Sequence, residues 1–157
     1  MTIYVECKTD STLVNALLGT AKKDIAHEKG KPGVCNRLKN VRNCKGMVDE
    51  DPGQAQHPYF KKLKVKEELR RYGLKLLYDP LLGNELIVLR PSLEWWILDA
   101  AKEVGLKAST YGLSDNPSAF HRDTNISQNE FRRLVRKIKL KNSDRLKNLK
   151  RLLEGKR

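Results

Sequence analysis

The chain has 157 residues, of which 39% are hydrophobic and 32% charged, so it can bury a core without disulfides or a structural metal. No apolar run approaches the roughly 20 residues of a membrane span and no secretory signal is recognisable, so we expect an intracellular, cytoplasmic protein with no membrane partner. Three cysteines without C-x-x-C spacing argue against a disulfide framework or a zinc site, and a net charge of +13 favours a polyanionic partner.

The first half of the chain alternates between strand and helix patterns. Strands are predicted at 3–6 and 46–49, where short apolar stretches end on acidic residues. Helices are predicted from Asp10 to Gly19 and, after a Gly/Pro-interrupted loop, through 34–41. A third helix is predicted at 58–72, because its apolar residues recur at helical spacing and Gly73 follows them.

The second half begins with two strands, at 74–78 and 86–89, which either form a hairpin or lie apart in the sheet. A helix is predicted at 93–104. The segment 107–126 is rich in Ser, Asn, Asp, Gly and Pro without a clear period, which predicts an extended loop or lid. Two amphipathic helices follow, with capping signals at 127–130 and 142–144.

This alternation is typical of an α/β fold. We expect a small, mainly parallel sheet flanked by helices, followed by basic C-terminal helices. The predicted organisation is an α/β domain at 1–106, a loop or lid at 107–126 and a basic helical arm at 127–157.

Three carboxylates follow the first two predicted strands: Glu6 after one, and Asp49 and Asp51 at the end of the other. Side chains alternate along an extended chain, so Asp49 and Asp51 should point the same way. Glu6 can join them if the two strands are parallel neighbours. Clustered carboxylates repel each other unless a cation lies among them, and hard oxygen ligands suit Mg²⁺ or Mn²⁺.

An E-x-x-x-D spacing at Glu6 and Asp10, followed by D-x-D at Asp49 and Asp51, resembles the Toprim domain of topoisomerases, primases and OLD-family nucleases. The resemblance covers roughly residues 2 to 90. It implies a Rossmannoid sheet sandwiched by helices, a first carboxylate that serves as general acid/base or metal ligand, and a D-x-D pair that holds Mg²⁺. Many members have glycine directly after the glutamate, whereas this chain has Cys7, whose side chain would crowd an approaching phosphate.

Other residues near these carboxylates have two interpretations each. Lys8 is a candidate catalytic residue that contacts phosphate, or simply a surface lysine. Asp10 is a candidate metal ligand and also a sound helix cap. Glu94 stands in the first turn of the helix after a strand, where it is either a fourth ligand or a favourable partner of the helix dipole. Trp95 and Trp96 diverge by about 100° on a helix, so we expect one in the core and one exposed.

Positive charge is concentrated near the C-terminus. Residues 122–157 contain 13 lysines and arginines against 4 acidic residues, a net charge of +9, whereas residues 1–121 contribute +4. A solvated, lysine-rich helix face is one explanation. The other is contact with nucleic-acid phosphates, for which the candidate residues are Arg132, Arg133, Arg136, Lys137, Lys139, Arg145, Lys147, Lys150 and Arg151.

Two classes of function fit the sequence. The first is a Mg²⁺- or Mn²⁺-dependent nuclease acting on DNA or RNA, with Glu6 and Lys8 as candidate catalytic residues and Glu6, Asp10, Asp49 and Asp51 as candidate ligands. The second is a non-catalytic nucleic-acid- or protein-binding module that works with a larger partner such as an ATPase subunit. A phosphatase of the HAD type also uses D-x-D after a strand, but there Thr or Val usually follows, not Pro52.

Overall fold

The computed structural model describes residues 1–19 and 24–155, although not the side chain of Ile126. In this part of the chain a single six-stranded sheet is flanked by helices. The strands are β1 (Ile3–Val5), β2 (Ile25–His27), β3 (Lys45–Asp49), β4 (Lys64–Leu69), β5 (Leu74–Tyr78) and β6 (Glu85–Leu89). The α-helices are α1 (Lys8–Leu18), α2 (Gly30–Leu38), α3 (Leu93–Glu103), α4 (Pro117–Ile126), α5 (Gln128–Leu140) and α6 (Asp144–Glu154).

The sheet has the strand order β2-β1-β3-β6-β5-β4. β2, β1, β3 and β6 are parallel, and β5 runs antiparallel to both β6 and β4. The prediction of a mainly parallel α/β sheet flanked by helices is therefore confirmed, and the architecture is Rossmann-like. Strands β5 and β6 adopt the hairpin alternative, with Leu74 opposite Leu89.

Helices cover both faces of the sheet. The larger core contains buried residues of α1, α3, α4, α5 and α6 packed on one face, and the smaller core is formed by α2 and the 3₁₀ helix Pro58–Lys62 on the other. Trp96 of α3 is fully buried and its Nε1 donates to Tyr72 O at 2.8 Å, whereas Trp95 is 52% exposed. The prediction of one core and one exposed tryptophan is confirmed.

The C-terminal helices belong to the larger core. The narrow apolar stripes of α5 and α6 are buried among residues of α1 and α3, and the Lys45 side chain of β3 donates to the carbonyl of Leu152 in α6. The range predicted as a basic arm thus covers one face of the sheet with its apolar side and presents its charged side outwards.

The predicted helix at 58–72 is wrong. The structure has a 3₁₀ helix, Pro58–Lys62, then strand β4, then a second 3₁₀ turn, Arg70–Tyr72. β4 pairs along its whole length with β5, with a register shift between Val65 and Glu67. Because β4 is a mostly exposed edge strand, its polar sequence lacks the alternating apolar pattern from which a strand is predicted.

Two further predictions on secondary structure need correction. The segment 107–126 is not an extended loop, because it contains α4, whose Phe120 is fully buried against Phe131 in an edge-to-face contact. Asn116 caps α4 and Pro117 occupies its first position, a helix-start signal in an otherwise loop-like composition. Helix α2 begins at Gly30, inside the predicted loop, since Pro32 falls in the first turn, where no backbone N–H is needed.

No helix among the residues that the structure describes is long and apolar enough to cross a membrane.

Candidate functional site

The candidate site lies at the carboxyl ends of three neighbouring parallel strands, β1, β3 and β6. Glu6 directly follows β1, Asp49 is the last residue of β3, and Glu94 lies in the first turn of α3, after β6. Strands β1 and β3 are parallel neighbours, as predicted, with Val5 opposite Met47. Ligands of open α/β sheets bind at this edge, where loops and helix starts bring side chains together.

Backbone hydrogen bonds fix two of these carboxylates. Glu6 Oε2 accepts from the backbone N–H of Asp49 at 2.8 Å and so links the ends of β1 and β3. Asp49 Oδ1 accepts from the N–H of Leu93, the first residue of α3, at 3.0 Å. The three strand ends are therefore held together by the same side chains that form the site, and each of these bonds uses one carboxylate oxygen.

Asp10 occupies the third position of α1 and is only 3% exposed. Its Oδ2 accepts from the backbone N–H of Cys7 at 3.1 Å and from the Cys7 thiol at 3.2 Å. The capping residue is thus Cys7, not Asp10 as the sequence suggested, and Asp10 is its reciprocal partner in a capping box. Burial and the adjacent Asp10 carboxylate raise the pKa of the Cys7 thiol to about 12, so Cys7 is a neutral hydrogen-bond donor at this position.

The buried carboxylates carry poorly compensated negative charge. The pKa is raised to about 6 for Glu6, to about 7 for Asp10 and to about 9 for Asp49. Burial is the main cause at each of the three, and the charges of the neighbouring acids, including Asp51 and Glu94, add to it. Raised pKa values in a group of carboxylates mean that either a bound proton or a bound cation relieves their repulsion.

Asp51 does not continue the alternation predicted for an extended chain. Strand β3 ends at Asp49, and Asp51 has a left-handed backbone with φ of 47°, its N–H donating to Pro91 O at 3.0 Å. Aspartate tolerates this conformation better than most residues. The turn nevertheless keeps the Asp51 charge close enough to raise the pKa of both Glu6 and Asp49.

Lys31 is a residue that the sequence analysis missed. It lies in the first turn of α2, directly after β2, and its Nζ donates to Glu50 O at 2.8 Å and lies 3.9 Å from Asp51 Oδ2. Its charge lowers the pKa of Glu6. The position of Lys31 in the sequence could have identified it. A lysine in the first turn of a helix that follows a parallel strand lies at the same sheet edge as the acids.

Glu94 and Lys8 border the site. Glu94 Oε1 lies 2.7 Å from Nδ1 of His121, which α4 contributes from the segment predicted to be a lid. Lys8 is exposed at the first position of α1, two residues after Glu6, and lines a groove beside α5. The structure thus brings Glu94 to the other acids, while Lys8 stands outside them.

A divalent cation fits the chemistry of these donors. Within the described residues no group of three or more His, Cys, Asp or Glu side chains is already arranged as a metal cage. The oxygen donors are nevertheless hard, buried and mutually repulsive, which suits Mg²⁺ or Mn²⁺. The backbone bonds of Glu6 and Asp49 use one oxygen of each carboxylate, which leaves the second oxygen for a cation.

The nine basic candidates do not form one uniform surface. Arg145 pairs with Glu103 at 2.7 Å, Arg151 with Glu67 at 2.6 Å and Arg133 with Glu130 at 3.0 Å. Others contact α1: Arg132 donates to Asn15 Oδ1, and Lys139 to Leu17 O. The exposed or half-buried remainder comprises Arg136, Lys137, Lys147 and Lys150.

No family model, curated protein or solved structure matches the chain. Its function has to be inferred from the site itself.

Proposed function

We propose that the protein is a Mg²⁺- or Mn²⁺-dependent enzyme that cleaves phosphodiester bonds of nucleic acid. One observation carries the proposal: Glu6, Asp49, Asp51 and Glu94 come from three adjacent strand ends, and buried members of this cluster have raised pKa values. The resemblance of the E-x-x-x-D and D-x-D spacings to Toprim nucleases supports the same reading, as does the net charge of +13.

Asp49 and Asp51 would hold the metal, with Glu6, Asp10 and Glu94 near enough to influence it. The bound ion would supply stabilisation of negative charge on the phosphate oxygens and a lower pKa for a coordinated water. Glu6 can complete the ligand set or exchange a proton. Its pKa is raised to about 6 by burial in the metal-free protein, and a bound cation would lower it. Lys31, held against Glu50 and Asp51, and the exposed Lys8 are cations near this sheet edge that could orient a phosphate.

The test is incubation of the purified protein with labelled single-stranded DNA, double-stranded DNA and RNA in MgCl₂, MnCl₂ or EDTA. Cleavage should require the divalent metal and should fall by about 100-fold or more in Asp49→Asn and Asp51→Asn. Asp99→Asn makes the same Asp-to-Asn change on α3, outside the proposed ligand set, and should retain activity. Cleavage that persists in EDTA, or is equal in all four proteins, would contradict the proposal.

A second candidate is a nucleic-acid-binding module without catalysis. It is favoured by the backbone hydrogen bonds of Glu6 and Asp49, which occupy an oxygen of each carboxylate in a purely structural role. Cys7 in place of the glycine common in Toprim domains favours it too. Tight binding of the same nucleic acids, unchanged by EDTA or by Asp49→Asn and without cleavage, would support this function and a larger catalytic partner such as an ATPase subunit.

A further inference from the structure

A groove separates α1 from the beginning of α5 and has a volume of about 620 Å³. Its floor includes β2, the edge strand of the sheet. Such a volume is in the range that accommodates a small organic ligand. The polar side chains that line it include Lys8, Ser11, Asn15, His27, Asn129 and Arg132.

The groove opens at the same sheet edge as the carboxylates. Lys8 is separated from Glu6 by one residue, and His27 ends β2 in register with Val5, the residue before Glu6. A chain molecule with one segment at Glu6 can therefore extend past the outer strand into the groove. The groove extends the site instead of forming a separate one.

The lining has the charge and hydrogen-bonding capacity for a sugar-phosphate backbone. Lys8 and Arg132 contribute fixed positive charges from two helices, and Ser11, His27 and Asn129 add polar groups. None of the described residues that line it is acidic. The basic lining contrasts with the carboxylate cluster next to it. A phosphate chain bound across both would contact cations in the groove and the metal-binding oxygens at the strand ends.

Hydrogen bonds between α1 and α5 hold the groove in shape. Gln128 Oε1 accepts from Thr12 Oγ1 at 2.7 Å, and its Nε2 donates to Thr9 Oγ1 at 2.9 Å and to Thr124 O at 2.6 Å. Arg132 is fixed by its bond to Asn15. A site whose walls are already cross-linked loses little conformational entropy when it binds a ligand.

We infer that this groove binds the phosphate-sugar backbone of a single nucleic-acid strand that flanks the bond to be cleaved. The inference rests on the proposed function for its place in catalysis, but binding in the groove needs no metal. A single strand is the substrate class because a groove of about 620 Å³ is too small to admit a duplex, while its two cations and its polar groups suit the backbone of one strand.

The experiment measures binding in EDTA, so that cleavage plays no part. Labelled dodecamers of oligo(dT) and oligo(U) are titrated with the Asp49→Asn protein and with Lys8→Gln and Arg132→Gln introduced into it. Each groove variant should weaken binding by about fivefold at 100 mM NaCl and reduce the salt slope by roughly 0.7. Lys102→Gln, the same charge change at the far end of α3, should alter affinity less than twofold. The two oligonucleotides distinguish DNA from RNA as the source of the backbone.

Uridine monophosphate locates the contact. Its addition to ¹⁵N-labelled protein should shift the amide resonances of Ser11, His27 and Asn129 more than those of α3. Lys8 is exposed, so Lys8→Gln remains decisive even if Arg132→Gln unfolds, which thermal melts would detect. Equal affinities for Lys8→Gln and Lys102→Gln, or shifts confined to other surfaces, would overturn the inference. If the groove variants bind weakly but the parent protein never cleaves, binding in the groove is supported and the nuclease proposal is contradicted.

Discussion

Asp49 combines three properties that rarely occur in one side chain. It is the last residue of a central strand, it caps the start of α3 through Leu93 N–H, and it lies among other acids. The first two fix its position, and its burial, together with the third, makes its ionised form costly. The pKa of Asp49 is consequently raised from 3.8 to about 9, the highest of the three perturbed carboxyl groups at this edge.

This residue should make the metal-free protein less stable as the pH rises. The folded protein keeps a proton on Asp49 that the unfolded chain loses near pH 4, so the free energy of unfolding falls from about pH 4 through about pH 9. Asp49→Asn keeps an oxygen to accept from Leu93 but has no charge. Its melting temperature in EDTA should exceed that of the parent by several degrees at pH 8.5, and the difference should shrink as the pH is lowered towards 5.

Thermal melts between pH 5 and pH 9 would measure this difference, with Asp99→Asn as the matched control. Addition of MgCl₂ at pH 8.5 should raise the melting temperature of the parent and leave Asp49→Asn nearly unchanged. If the parent protein instead gained stability relative to Asp49→Asn between pH 5 and pH 8.5, the fold would not disfavour the ionised form of the Asp49 carboxyl.

At the scale of elements, α5 and α6 have two different sides. Their buried side, which includes Phe131 and Leu149, packs with α1 and α3 on the sheet, and their outer side is basic. Arg132 and Lys139 reach back to α1, so the outer side is also tied to the domain. The basic surface is therefore presented from a rigid layer, at a fixed position relative to the carboxylates.

Phe131→Ala should destabilise the whole protein by about 3–5 kcal/mol, because a fully buried aromatic ring that packs against Phe120 is replaced by a cavity. Leu140→Ala changes an apolar residue on the same helix that is 75% exposed, and should cost less than about 0.5 kcal/mol. Urea unfolding followed by tryptophan fluorescence, to which the buried Trp96 contributes, would compare them. Equal stabilities would mean that α5 does not form part of the core.

The turn between β5 and β6 is secured by one buried amide. Asn84 is 1% exposed, its Nδ2 donates to Leu38 O at 2.8 Å and Val41 O at 2.9 Å, and its Oδ1 accepts from Cys44 N at 2.9 Å. Asn84→Ala would leave three backbone groups without these partners and should cost about 2–4 kcal/mol in urea unfolding. Asn40→Ala, which removes one exposed bond to Asn36, should cost less than 1 kcal/mol. A larger loss of stability for Asn40→Ala than for Asn84→Ala would contradict this role.

At the scale of the whole molecule, the carboxylates of the site and the outward-facing cations of the C-terminal helices occupy different surfaces. The carboxylates converge at the ends of three central strands, whereas the cations of α5 and α6 lie on the outside of the helical layer. A net charge of +13 favours encounter with a polyanion. Under the proposed function, the basic surface would attract the nucleic acid and the carboxylates, with a bound divalent cation, would act on it.

Nucleic-acid binding should accordingly depend on salt. With about three phosphate contacts to a single strand, affinity should fall roughly 20-fold between 50 and 200 mM NaCl. Replacing the exposed Arg136, Lys137 and Lys147 together with glutamine tests whether the outer face of α5 and α6 contributes. Fluorescence anisotropy should then show weaker binding and a smaller salt slope. An unchanged slope would assign the binding to other surfaces, the α1–α5 groove among them.

The sequence by itself determined the features that depend on local pattern. The alternating strands and helices and the apolar stripes of α5 and α6 follow from hydrophobic periodicity and helix caps. The adjacency of β1 and β3 was only a condition for the site, and the packing of the sheet decided it. Periodicity failed at β4, because an exposed edge strand has no buried face to mark its sequence. The prediction from composition was wrong at α4, because the buried Phe120 and the Asn116 cap stabilise a helix within a segment rich in loop-forming residues.

Only the tertiary structure decided which distant groups meet at the site. The backbone turn at Asp51, the position of Lys31 beside it and the pairing of Glu94 with His121 depend on chain segments that are far apart in sequence. The same holds for the partners of Arg145 and Arg151, which looked free in the sequence and are ion-paired in the fold. Local patterns encode which face of an element is buried, whereas the identity of a partner is set by packing several elements at once.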